Sequence, residues 1–268
     1  MLCERIFLDS SDENVYIDAY IANRRTVLRD AMLVIPGGGY HGVCSDREGE
    51  PIALAFLAKG YNCFVLNYRV GADALFPNPL VDASRAILHI RENAEKYCIS
   101  PDRVFAVGFS AGGHLAGSLA TLASYPEVLS TLGIEDGANR PNAVILAYPV
   151  VTALLPTHEG SFVHLSGKKF SELTVEDKIK LSLECHVDEK TSPAFIWHTA
   201  EDKVVPACGS LELAREYVDA GIPVSMKLYP YGGHGLALAN RITAGIEESM
   251  QPIAERWIDE AIEFLNTL

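Results

Sequence analysis

From residue 31 onward, short apolar and β-branched runs alternate with amphipathic stretches along the chain. Six runs stand out: "AMLVIPG" (31–37), "NCFVLNYR" (62–69), "RVFAVGFS" (103–110), "AVILAYPVV" (143–151), "AFIWHTA" (194–200) and "SMKLYPY" (225–231). Strands that alternate with helices predict an α/β architecture, a mainly parallel sheet with helices on both faces. Two earlier segments, around residues 6–8 and 15–21, read as an antiparallel opening. The clearest helical stripe places Leu80, Ala83, Ile87, Ile90, Ala94 and Tyr97 on one side. A last helix is expected to start after Pro252 and to turn Ile253, Trp257, Ala261, Ile262 and Leu265 toward the sheet.

Residues 152–192 break this rhythm. They are polar and interrupted, with one helix expected over 175–185, and a connection of this length suits a small cap over an active site. No repeat, low-complexity tract or linker divides the chain, so a single domain over 1–268 is expected.

Composition narrows the classes. The chain has 268 residues, of which 49% are apolar, ample for a buried core. Its 22 basic and 35 acidic residues give a net charge of −13, which disfavours nucleic acid or an anionic membrane surface as partner. Glu4, Arg5 and Asp9 stand where a signal peptide needs an apolar core, and no window is apolar enough to span a bilayer, so a cytoplasmic location is expected. Six cysteines are scattered singly, without C-x-x-C or clustered histidines, and read as free thiols rather than a disulfide framework or zinc site. A homo-oligomer stays open.

The segment "LVIPGGGYHGV" (33–43) admits two readings. Gly37, Gly39 and Gly42 spell G-x-G-x-x-G, a dinucleotide-phosphate cradle; alternatively, bare backbone N–H groups face a carbonyl oxygen that gains charge during acyl transfer. A cradle needs a helix that begins inside the loop and an acid at the end of the next strand. Here "SDREGEP" delays the helix, and the next strand ends in Asn67, Tyr68 and Arg69. The oxyanion reading is favoured, with donors from Gly38, Gly39 and Ala111.

"VGFSAGGH" (107–114) is G-x-S-x-G between an apolar strand and a small-residue helix, the context of a nucleophile elbow. The strained turn lifts the Ser110 hydroxyl clear of the sheet, and Gly108 and Gly112 leave room for the neighbouring backbone. A base and an orienting acid are then expected after later strands, acid first. Asp202 follows "AFIWHTA" and His234 follows "SMKLYPY". Glu201 is the rival acid; Asp202 is preferred for its shorter, more rigid reach to an imidazole. Asp102 precedes its strand, reads as a turn residue and lies at the wrong edge. Among the other histidines, His114 should pack beside the elbow, and His89 and His198 sit within a helix and a strand. His158, His164 and His186 lack metal-ligand spacing and are not assigned a role, while His41 borders the glycine loop and can line a pocket.

The stretches "PGGGYHGVCSDREGEPIALAFLAKGYNCFVLNYRV", "VFAVGFSAGGHLAG", "SPAFIWHTAEDKVVP" and "GGHGLALA" resemble the α/β-hydrolase superfamily. The likeness is to carbohydrate acetylesterases related to acetylxylan esterases and hormone-sensitive-lipase-type carboxylesterases, and it covers nearly the whole chain. It implies a small-molecule ester substrate, a Ser110–His234–Asp202 triad, a short acyl group carried by a sugar, and no cofactor or metal. Lipase-like relatives usually carry His before the three glycines, where this chain has Pro36. The loop must therefore be braced differently, and the Tyr40 N–H competes with that of Gly38 as oxyanion donor. An amidase or peptidase of the same fold, and a non-catalytic ligand-binding relative, are the alternatives.

Overall fold

The computed structural model describes residues 1–23 and 27–268. Its strands are β1 (Leu2–Phe7), β2 (Tyr16–Ile21), β3 (Arg29–Ile35), β4 (Asn62–Asn67), β5 (Ile99–Phe109), β6 (Val144–Ala147), β7 (Ala194–Thr199) and β8 (Val224–Tyr229). They form one sheet in the order β1-β2-β4-β3-β5-β6-β7-β8. The pairings β1–β2 and β2–β4 are antiparallel; all later ones are parallel. The antiparallel opening and the six later strands are thus present as the hydrophobic pattern predicts, although β1 runs over Leu2–Phe7, earlier than the expected 6–8.

The central strands are apolar without alternation because helices cover both their faces. Side chains still alternate between two cores. Leu33 and Ile35 join Leu115 and Leu119 of the helix Ala111–Thr121, while Met32 and Val34 join Trp197 and Trp257 on the other face. The edge strand β1 shows the opposite pattern, half-buried and exposed residues in strict turn.

Two helices and one turn differ from the sequence expectation. The stripe from Leu80 to Tyr97 is split into helices Asn78–Glu92 and Ala94–Tyr97, because Asn93 leaves the helical path and its side-chain amide donates to the His89 carbonyl (2.8 Å). The C-terminal helix is Trp257–Leu265, preceded by a 3₁₀ turn. The Gln251 N–H is held by the Ala239 carbonyl (2.8 Å), so Pro252 heads that turn and Ile253 faces solvent. Asp102 lies inside β5, near a register irregularity opposite β3, rather than in a turn.

The 152–192 excursion holds two helices, not one. Glu159–Ser166 was hidden by Gly160 and its few apolar positions. Val175–Leu181 starts at a Thr174–Asp177 capping box and stops four residues short of Cys185. There Ser182 turns to an extended conformation, accepting from the Ala153 N–H (2.8 Å) and donating to the Lys178 carbonyl (2.7 Å).

Candidate active site

β5 ends at Phe109, and Ser110 takes φ 54°, ψ −117° before the helix Ala111–Thr121 begins. A left-handed φ on a serine is strained and persists only where its surroundings enforce it. Here the Ser110 N–H donates to the Ala147 carbonyl and its own carbonyl accepts from Val150, both at 3.0 Å. The flanking glycines are obligatory. A Cβ on Gly108 would stand 2.1 Å from the Gly112 carbonyl oxygen, and one on Gly112 would stand 2.2 Å from that of Ile35.

The exits of β5, β7 and β8 converge. The Ser110 hydroxyl donates to His234 Nε2 (2.8 Å), and His234 Nδ1–H donates to Asp202 Oδ2 (2.6 Å). The N–H groups of Val204 and Val205 donate to Asp202 Oδ1, each at 2.9 Å. Burial alone would raise the Asp202 carboxyl, but hydrogen bonds from His198, His234 and Val205 outweigh it and hold the group well below the usual carboxylate range. Glu201 points elsewhere, accepting from the Gly232 N–H (3.1 Å) at the start of the His234 loop.

His198, within β7, also reaches the acid. Its Nε2–H donates to the Val205 carbonyl (2.8 Å) and lies 3.3 Å from Asp202 Oδ2, while Nδ1 meets the Ser210 hydroxyl (2.8 Å). A histidine in mid-strand carries no sequence signal of such a contact.

The glycine loop is braced by side chains in place of the absent histidine. The Tyr68 hydroxyl donates to the Pro36 carbonyl (2.8 Å), and the Gly37 N–H donates to Glu48 Oε2 (2.8 Å). The Tyr40 hydroxyl donates to His114 Nδ1 (2.9 Å), and His114 Nε2–H donates to the Leu181 carbonyl (2.8 Å) in the excursion. With these contacts made, the N–H groups of Gly38, Gly39 and Tyr40 meet no protein acceptor among the described residues. Gly38 and Gly39, at φ 131° and 65°, line a cavity of about 260 Å³ with Ser110 and His234; the Tyr40 side chain is buried behind them. The Ala111 N–H, first of its helix, has no intrahelical acceptor.

His41, Cys44, Arg47, Glu48 and Val204 also line the cavity, and the excursion adds His158 and His164. The sequence carries no signal for the last two: only the fold brings the excursion over Ser110. His186 points away and bonds the carbonyls of Ile179 and Lys180, and His89 meets the Tyr97 hydroxyl. Glu48 is a further residue the sequence did not reveal: the expectation that "SDREGEP" delays the helix is not met, since Ser45–Glu48 is itself helical and a second helix follows over Glu50–Ala58. Glu48 is 1% exposed and accepts from Tyr148 at Oε1 (2.9 Å) as well as from Gly37. A hydroxyl, an imidazole and a buried carboxylate in hydrogen-bonded series, beside free N–H groups, can carry out acyl transfer through a covalent intermediate.

The strand order, with the elbow after the fifth strand, is that of the α/β-hydrolase fold. The BD-FAE family model matches residues 17–217, three quarters of the chain. The chain belongs to the BD-FAE family. This BD-FAE member is 42% identical over 226 residues to endo-1,4-beta-xylanase B of Butyrivibrio fibrisolvens, covering 83% of this chain and 34% of that protein. It is 30% identical to an acetylxylan esterase of Xylanibacter ruminicola, covering 76% of this chain and 40% of the esterase. The chain thus spans well under half of these curated relatives. Among solved structures, an acetyl ester-xyloside bifunctional hydrolase from Caldicellulosiruptor lactoaceticus matches at TM-score 0.80 and 33% identity, covering 97% of each chain. No helix of the described residues of this BD-FAE chain is long and apolar enough to cross a membrane.

Proposed function

We propose that this protein is a serine esterase that removes short acyl groups, acetyl foremost, from carbohydrates. The observation that carries the reading is the continuous hydrogen-bonded series from the Ser110 hydroxyl through His234 to Asp202 at the carboxyl edge of the sheet. Ser110 Oγ attacks the ester carbonyl while His234 Nε2 takes its proton. Asp202 keeps the imidazole in the tautomer that accepts at Nε2 and offsets the charge that forms. The tetrahedral oxyanion faces the N–H groups of Gly38, Gly39 and Ala111. The imidazolium then protonates the leaving alcohol, and a water activated by the same His234 releases the acyl group. This sequence requires no cofactor or metal.

Residues 152–192 act as the cap, contributing His158 and His164 to the cavity wall. Its two aromatic residues do not form an acyl tunnel: Phe162 is fully buried against His114 and packs on Phe170. Each methylene buried in an apolar tunnel would gain about 0.8 kcal/mol. Among the described residues, Val204 is the one aliphatic side chain in a wall otherwise built of imidazoles, Arg47, Glu48, Cys44, Ser110 and the glycine loop, too little for a long acyl tunnel, which favours a short acyl group. The sugar rests on the relatives, one an acetylxylan esterase and one an acetyl ester-xyloside hydrolase.

Fluorophosphonate labelling together with kcat/KM for p-nitrophenyl acetate, butyrate, octanoate and palmitate tests the chemistry. Labelling should require Ser110, and Ser110→Ala should lower kcat by roughly 10⁶. Retention of a tenth of the activity would refute the mechanism, and an optimum at octanoate or longer would refute the short acyl group. Failure to deacetylate any acetylated saccharide would remove the sugar, and faster cleavage of aminoacyl amides than of esters would make the protein an amidase.

A further inference from the structure

Glu48 belongs to neither the hydrogen-bonded series nor the oxyanion donors, yet it touches the scaffolding of both. Its Oε2 takes the Gly37 N–H (2.8 Å), one residue before the expected donor Gly38. Its Oε1 takes the Tyr148 hydroxyl (2.9 Å). That hydroxyl in turn accepts from the Ala237 N–H (3.0 Å), three residues beyond His234, and the Tyr148 ring packs edge-on against the His234 ring at 5.1 Å. Tyr148 has φ 38°, a left-handed conformation unusual for an aromatic residue, so the backbone at the β6 exit is strained to present it.

We propose that Glu48 is a positioning residue whose single buried carboxylate fixes the oxyanion loop and the His234 loop relative to each other. The inference rests on Ser110, His234 and the glycine loop acting as described above. Each carboxylate oxygen receives a donor, and because Tyr148 already accepts from Ala237, its own proton goes to Glu48. Neither oxygen is bonded to an acceptor for a carboxyl proton, so the hydrogen bonds select the anion. Burial opposes that charge and raises the Glu48 carboxyl; the Gly37 N–H, the Arg47 guanidinium 3.7 Å away, Tyr148 and His234 counter it. Cys44 and Tyr68 also lie within electrostatic reach of the carboxylate, which borders the cavity. A negative charge held there favours the imidazolium that His234 becomes when Ser110 attacks.

Two readouts separate positioning from mere structural support. Glu48→Gln keeps an acceptor for Gly37 but offers Tyr148 an N–H where its hydroxyl needs an acceptor, and it removes the charge. With p-nitrophenyl acetate, kcat should fall about 10²-fold, the scale of a misplaced catalytic group, while KM changes by less than about threefold. The acidic limb of the kcat profile should move to lower pH by roughly half a unit, because losing the anion makes the imidazolium less favourable. Tyr148→Phe should reproduce most of the fall, and the double variant should lose little more than either single one. It also serves if Glu48→Gln does not fold. A variant with wild-type kcat and an unmoved acidic limb, changed only in Tm, would overturn the proposal. So would additive effects in the double variant. Loss of activity in Ser110→Ala alongside wild-type rates in Glu48→Gln would sink this inference alone; activity surviving in Ser110→Ala would sink the reading beneath it.

Discussion

Lowering the pH should destabilise the protein through His114 in a window the structure defines. The ring is fully buried between the glycine loop and the 152–192 excursion, and burial lowers its pKa from 6.5 to about 4, with the Leu181 carbonyl only partly offsetting the shift. The unfolded chain binds a proton near pH 6.5, whereas the native protein refuses one until about pH 4. The stabilisation is therefore complete above pH 6.5 and fades as the pH falls toward 4. At about 1.36 kcal/mol per unit, a difference of about 2.5 units amounts to roughly 3 kcal/mol. Protonation also reverses a contact, since Nδ1 could no longer accept from the Tyr40 hydroxyl. Urea unfolding followed by fluorescence of the buried Trp197 and Trp257, between pH 7.5 and 4, measures the effect. His114→Gln is neutral throughout, so groups common to both proteins cancel in the difference. The wild-type curve should lose about 3 kcal/mol more than the variant across the window. Curves that stay parallel within about 0.5 kcal/mol would show that His114 is already charged or solvated in the native protein.

Asp202→Asn should lower kcat by about 10³ to 10⁴, while Glu201→Gln should stay within a few-fold of wild type, as steady-state rates on p-nitrophenyl acetate will show; the reverse pattern reassigns the acid. Gly112→Ala places a methyl group 2.2 Å from the Ile35 oxygen and 2.4 Å from that of Pro36. It should cost more than about 3 kcal/mol or prevent folding. Gly42→Ala meets nothing within 4 Å and should leave Tm unchanged, although Gly42 completes G-x-G-x-x-G.

What the sequence disclosed about this protein was local. Ser110, Asp202 and His234 each follow a strand that apolar patterning makes visible, and the right-handed parallel connections of such a sheet bring strand exits to one edge. What it concealed depends on partners far along the chain. Glu48 meets Tyr148 across 100 positions, and His114 meets Leu181 across 67. His158 and His164 reach the cavity because the excursion folds back over it, a path that two short helices and a buried Phe162 determine together. The helix ends missed at Ser182 and Pro252 share this origin: the Ser182 hydroxyl accepts from the distant Ala153 N–H, and the Gln251 N–H before Pro252 is held by the Ala239 carbonyl.

The contact between His114 and Leu181 has a consequence for remodelling. The segment between β6 and β7 is the natural place to attempt an exchange of substrate preference, since Ser110, His234 and Asp202, the proposed nucleophile, base and acid, all lie outside it. Yet that segment supplies the carbonyl that orients His114, and His114 holds Tyr40 beside the expected oxyanion donors. A grafted cap without an acceptor at that point would leave a buried N–H unpaired, costing about 1–3 kcal/mol, and would let the imidazole turn. Recognition and reactivity in this protein are thus not freely separable modules: an interchangeable lid must bring its own carbonyl to the same spot.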